Sequence, residues 1–169
     1  TKDAGKPVVV SMGNVAASGG YWISMAGDRI FASPSTITGS IGIFGMLPTF
    51  QDSLTKIGVH TDGVGTTKFS DAFDLTRSMT PEMKQAFQLS IDHGYQQFIT
   101  KVSKNRRMKV EDVDAIAQGR VWSGSDAKRL GLVDAYGDLD DAVQAAAKLA
   151  DMGSRYSVDY VEKPPTFLD

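Results

Sequence analysis

The residues best suited to covalent chemistry lie in one short segment, Asn14-Val15-Ala16-Ala17-Ser18-Gly19-Gly20-Tyr21-Trp22. A serine at the first turn of a helix stands beside backbone N–H groups that have no intrahelical acceptor, and such donors stabilise an oxyanion as it forms. Small residues on both sides let a substrate backbone come close. A serine in that place also reads as an ordinary N-cap after a turn. The segment departs from the G-x-S-x-G elbow, because Ala16 stands at its first glycine. A nucleophilic serine needs a base, and the imidazoles are His60 and His93. His93 falls inside a long helical pattern, and both read as structural or surface residues. Lysine is then the better candidate for the base. Lys68 follows the small, extended stretch Gly63-Val64-Gly65-Thr66-Thr67, not a charged helix face; its other reading is an exposed loop lysine. An amine with an ordinary pKa of about 10.4 serves near neutrality only if desolvation or a nearby cation lowers that value. Neither Gly39-Ser40-Ile41-Gly42-Ile43-Phe44-Gly45 nor the Gly63–Lys68 stretch has the spacing that cradles a dinucleotide or a nucleoside phosphate.

These residues need elements to position them. Pro7-Val8-Val9-Val10-Ser11-Met12 is a short β-branched run that predicts a strand buried on both faces, ended by Gly13-Asn14. Ala16 to Met25 predicts a helix beginning near Ser18, in spite of two glycines that each cost about 1 kcal/mol and therefore call for a steric purpose. Arg29–Ala32 predicts a second strand, Ser33–Thr36 a loop, Thr49–Ile57 a short helix, and Val59–Val64 an extended segment. The clearest element runs from Thr80 to Val102. Thr80 suits the N-cap, Pro81 the first helical position, and Met83, Phe87, Ile91, Tyr95, Phe98 and Val102 form one apolar stripe. Lys104 to Lys109 reads as a solvated helix end. Helices over Glu111–Ala117, Ser125–Leu130 and Asp138–Ala150 follow, with a strand at Leu132-Val133-Asp134. Alternation of strands and helices predicts an α/β fold with crossover connections.

Composition narrows the chemistry. In 169 residues there is no cysteine, so disulfides, thiol nucleophiles and iron–sulfur clusters are excluded, and two histidines leave little for a zinc cage. A balance of 18 basic against 20 acidic residues gives no global attraction to nucleic acid. No aromatic residues interleave with the Lys104–Lys109 charges, which argues against a nucleic-acid patch there. No apolar run approaches the roughly 20 residues that span a bilayer.

Several motifs fall in order along the chain: Pro7–Gly13, Ala16–Ser24, Pro34–Gly42, and Gly119-Arg120-Val121-Trp122 through Gly131-Leu132-Val133-Asp134. Together they resemble the signal peptide peptidase A (protease IV) family of bacterial serine–lysine peptidases, over about Lys6 to Ala150. The resemblance implies a Clp-protease/crotonase-like α/β superhelix of ββα units, incomplete at its N-terminus. Residues 1–150 are the expected peptidase domain, and 151–169, with Pro164-Pro165, a C-terminal strand and tail. Carried over by motif, Ser18 matches the nucleophile, the Gly19 N–H an oxyanion donor, and Ser40 the serine that hydrogen-bonds the lysine base. In single-length members the base lies downstream in the same chain, where Lys68 falls. In double-length members it comes from the first half, and this sequence reads more like a second half, with Phe69 where a small residue usually follows the lysine. A lysine outside the chain is therefore favoured over Lys68.

The implied function is hydrolysis of signal-peptide remnants without metal or organic cofactor. The setting implied is the periplasmic face of a bacterial inner membrane, in a homo-oligomer (a tetramer in double-length members) that includes an N-terminal half. Crotonase-like acyl-CoA chemistry and a non-catalytic oligomerisation half are the alternatives.

Overall fold

The computed structural model describes residues 1–161. The first apolar run forms β1 (Val9–Ser11), and after the Gly13-Asn14 turn a second strand, β2 (Val15–Ala17), leads into α1 (Gly19–Ser24). The order repeats with β3 (Arg29–Ala32) and β4 (Ile37–Gly39), then α2 (Gln51–Lys56) on a long excursion, then α3 (Pro81–Arg106). The helix α4 (Val110–Ile116), strand β5 (Val121–Ser123), helix α5 (Gly124–Arg129), strand β6 (Ala135–Tyr136) and helix α6 (Leu139–Leu149) follow.

The first strands of the two ββα units, β1 and β3, share one three-stranded sheet with β6, in the order β1-β3-β6, whose pairs are all parallel. Their second strands, β2 and β4, pair in parallel in another sheet, β2-β4-β5, which β5 joins antiparallel to β4. The architecture is thus the expected α/β superhelix of ββα units. Between the sheets and α3 lies the core, where Tyr21, Ile30, Ile41, Phe98, Val102 and Leu132 are buried. Trp22 of α1 meets Phe98 of α3 edge-on with ring centroids 4.7 Å apart, which seats the short helix on the long one.

Local chemistry explains most boundaries. Thr80 caps α3 by accepting from the Met83 N–H at 3.3 Å, with Pro81 at the first position. Asp138 caps α6 in a reciprocal arrangement with Asp141. The α3 stripe is covered unevenly: Phe98 and Val102 are buried, while Phe87, Ile91 and Tyr95 are half-buried beneath the thin excursion between β4 and α3.

Val59–Val64 forms neither helix nor strand. Three expectations are corrected. β1 is half-buried, not buried on both faces, because it is the edge strand of its sheet. The strand expected at Leu132–Asp134 begins at Ala135; Leu132 and Val133 are buried in the approach to it, where the Asp134 N–H donates to the Ile30 carbonyl at 3.0 Å. The basic run after Val102 is not wholly solvated. Arg106 has a side chain only 9% exposed, and it donates to both carboxylate oxygens of Asp134, at 2.5 and 3.3 Å, and to the Gly131 carbonyl. From Asp151 to Val161 the chain makes turns and then carries no strand, and the rest of the expected C-terminal strand and tail, Glu162 onward, lies outside the described residues. Among the described residues no helix is long and apolar enough to cross a membrane.

Candidate active site

Sheet register brings two serines together. In the parallel pair of β2 and β4, Ala17 stands opposite Gly39, so the next residues, Ser18 and Ser40, leave the sheet side by side at the C-terminal ends of neighbouring strands. That end of a parallel pair is where α/β folds place ligands. Thr38, fully buried, locks the register by donating its hydroxyl to the Ala16 carbonyl at 2.7 Å, and the Ser18 N–H donates to the Gly39 carbonyl at 2.9 Å. Gly39 is required there: its φ is +73°, and a Cβ would sit 2.7 Å from the Trp122 ring.

Ser18 joins β2 to α1 with φ 51° and ψ −114°, a conformation that costs a non-glycine residue about 1–3 kcal/mol. Its side chain does not cap the helix. The N-cap reading therefore fails on geometry. What the structure has instead is a strand–serine–helix elbow, reached without the glycine pattern that usually announces one. Helix α1 is held rigidly behind it. Tyr21 is fully buried and donates its hydroxyl to the Leu132 carbonyl at 3.0 Å; burial raises its pKa well above the usual phenol value. The Gly19 N–H, at the first position of α1, has no acceptor within the helix. A Cβ built on Gly19 meets nothing within 4 Å among the described residues, so its small size serves no packing among them and leaves open space beside Ser18.

Ser18 and Ser40 line one cavity of about 450 Å³, whose apolar wall is Ile43, Phe44 and Ile91 and whose far wall is Tyr95, Gln118 and Gly119. Ser40 also has a left-handed backbone, φ 50°, as does Gln118, φ 55°. The far wall is stitched to the Ser40 strand end: the Ser40 N–H donates to the Arg120 carbonyl at 2.7 Å and the Gly119 N–H to the Ile41 carbonyl at 2.9 Å.

Among the described residues lining this cavity the charged one is Asp92, and there is no lysine or histidine. Lys68 is elsewhere. Its side chain is 76% exposed, donates to Glu82 at 3.2 Å, and lines a different, larger cavity of about 690 Å³ around Arg77. Size does not make that cavity the better candidate, since its walls are exposed loop with no activated nucleophile. Its polar groups bind one another: Arg77 lies within 4 Å of Asp62, Asp71 and Asp74. His93 is exposed and pairs with Gln97 at 2.8 Å, and His60 is exposed in the loop after α2. Sequence reasoning singled out Ser18, Gly19 and Ser40, which the fold brings to one place, and Lys68, which it does not. It missed Tyr95, Gln118 and the Ile43–Ile91 wall; the hydroxyl on Tyr95, the one polar atom in the α3 stripe, was the available signal.

A family model described as Peptidase family S49 matches residues 1–153. The chain is 55% identical to "Protease 4" of Salmonella typhi over 98% of its own length and 26% of that protein. It is 52% identical to "Protease 4" of Haemophilus influenzae, over 86% of this chain and 23% of that one. It is 39% identical to "Serine protease SPPA, chloroplastic" of Arabidopsis thaliana, over 96% and 24%. The chain thus spans about a quarter of the length of these relatives.

Proposed function

The chain belongs to peptidase family S49, and from that premise we propose that it carries the nucleophile of a serine peptidase, with Ser18 attacking the scissile carbonyl. One observation carries the reading: Ser18 is held in a costly left-handed elbow, its hydroxyl free of any cap bond, beside Ser40 and over an open cavity. A neutral lysine amine takes the hydroxyl proton as the Oγ–carbon bond forms, and the Gly19 N–H receives the oxyanion. Collapse breaks the peptide C–N bond, and the lysine ammonium gives its proton to the leaving amine. Water, deprotonated by the same amine, then hydrolyses the acyl-enzyme. Ser40 directs the lysine through a hydrogen bond.

The amine comes from a lysine outside this chain, in a preceding homologous half. Two observations favour this: no lysine lines the Ser18 cavity among the described residues, and Lys68 is engaged by Glu82. Lys68 is the internal alternative, and would have to leave Glu82 and cross to the other cavity. The substrates proposed are signal-peptide remnants and other apolar peptides, whose side chains suit the Ile43, Phe44 and Ile91 wall. The proposed working form is a homo-oligomer at the periplasmic face of a bacterial inner membrane.

The test is labelling of the complete natural gene product with a serine-directed phosphonate, followed by peptide mapping. The adduct is expected on Ser18, and Ser18→Ala is expected to lose both adduct and turnover; a Ser18→Ala protein that still cleaves peptide removes Ser18 as nucleophile. Lys68→Ala is expected to retain turnover, and its loss would move the base into this chain.

A further inference from the structure

The α3 stripe needs only an apolar ring at position 95, and Ile91 and Phe98 supply its neighbours without a hydroxyl. The Tyr95 hydroxyl has been given two partners on the next elements of the chain. It donates to the Asp114 carboxylate of α4 and accepts the Gln118 N–H at 3.2 Å. Gln118 needs that acceptor, because Ala117, the C-cap of α4 with ψ −124°, turns the chain off the helix and takes the Gln118 N–H out of the α4 ladder. Burial first, and then the bond to Asp114, push the Tyr95 pKa up to about 12. The group therefore stays a phenol through any ordinary assay range, and its contribution is geometric.

The turn it fixes reaches Ser40 directly. Gly119 and Arg120 bond to the backbone on either side of Ser40, through Ile41 and Ser40 itself. There is no slack on the opposite side, since a Cβ on Gly42 would lie 2.7 Å from Gly119. A displacement of the Gln118–Gly119 turn therefore moves Ser40 and reshapes the cavity onto which Ser18 opens. We infer that Tyr95 is a positioning residue of the Ser18–Ser40 site, clamping the Gln118–Gly119 wall between α3 and α4 so that Ser40 is held beside Ser18. The inference rests on the reading of Ser18 as nucleophile.

Tyr95→Phe in the complete gene product keeps the ring and removes both bonds. Small misplacements of catalytic groups cost up to about 100-fold, so kcat per active site is expected to fall by about 10-fold or more, with KM within about twofold. The rate of phosphonate labelling at Ser18 falls in parallel, while the number of titratable sites stays that of the parent. Asp114→Leu is expected to reproduce the kcat loss and Asp114→Asn, which still accepts from the hydroxyl, to restore a large part of it. The inference is overturned if Tyr95→Phe turns over at the parental rate per titrated site, including the case in which only the number of sites falls, which is a purely structural effect. Failure of the underlying reading is seen separately: the unsubstituted protein then carries no adduct at Ser18, which overturns both.

Discussion

Ser18 stores conformational energy that its side chain does not repay locally. Its hydroxyl makes no cap bond, so Ser18→Ala is expected to leave stability within about 0.5 kcal/mol of the parent. Ser18→Gly, which relieves the positive φ, is expected to raise stability by about 1 kcal/mol or more. Urea midpoints of the two variants check both values, and a Ser18→Gly protein no more stable than Ser18→Ala would mean the elbow is not strained. Serine as a type and its small neighbours were readable from sequence. Strain was not, because no residue pattern marks it: Ala16 occupies the place where a glycine would have signalled an elbow, and the backbone is held by Thr38 and Gly39, about twenty positions away.

At the scale of elements, the joint between α3 and β6 depends on one side chain. Arg106 forks onto Asp134 and also donates to Gly131, at a position that is nearly buried. Charge-assisted hydrogen bonds of this kind contribute about 1.5–3 kcal/mol, so Arg106→Ala is expected to destabilise the fold by about 2 kcal/mol. Arg106→Lys is expected to lose a good part of the same energy, because an ammonium cannot reproduce the planar fork. Thermal unfolding of both variants measures the difference, and equal stability of Arg106→Lys and the parent would show that charge alone suffices. Sequence reading found α3 through its cap and apolar spacing, and α6 through its amphipathic pattern over Asp138–Ala150, which are local properties. It placed Arg106 in a solvated run because charge composition says nothing of what lies beyond the helix end. Strands β2, β4 and β5 went unseen for a related reason: each has three residues, too few for a period of two to register.

The molecule as a whole holds two phenols that resist ionisation, Tyr21 and Tyr95, both raised above the ordinary phenol value of about 10 chiefly by burial. The unfolded chain releases these protons first, so their contribution is complete below pH 10 and is lost as pH rises toward the folded values. Stability is therefore expected to be insensitive to these groups below pH 10 and to fall above it, by up to about 1.4 kcal/mol per pH unit for each tyrosine. Tyr95→Phe should flatten that slope in alkaline urea titrations; an unchanged slope would exclude Tyr95 as its source. Among the described residues the second sheet also leaves a face uncovered. Val15 and Ile37 are cross-strand partners and Val121 pairs with Gly39 on the same face, and they are 65%, 47% and 57% exposed. Self-association through this face is expected, and Val121→Lys should weaken it by about tenfold in sedimentation experiments. A chain that is monomeric at high concentration would sink that expectation. From its sequence alone this protein specified its fold class, its long capped helices and the two serines on their motifs, because periodicity, capping chemistry and motif order are written in neighbouring residues. Only the tertiary structure decided that Ser18 is an elbow and not a cap, that Ser40 stands beside it, that Lys68 turns to Glu82, and that Tyr95 reaches Gln118. Each of those facts depends on register and packing between segments far apart in the chain, and local sequence carries no record of that distance.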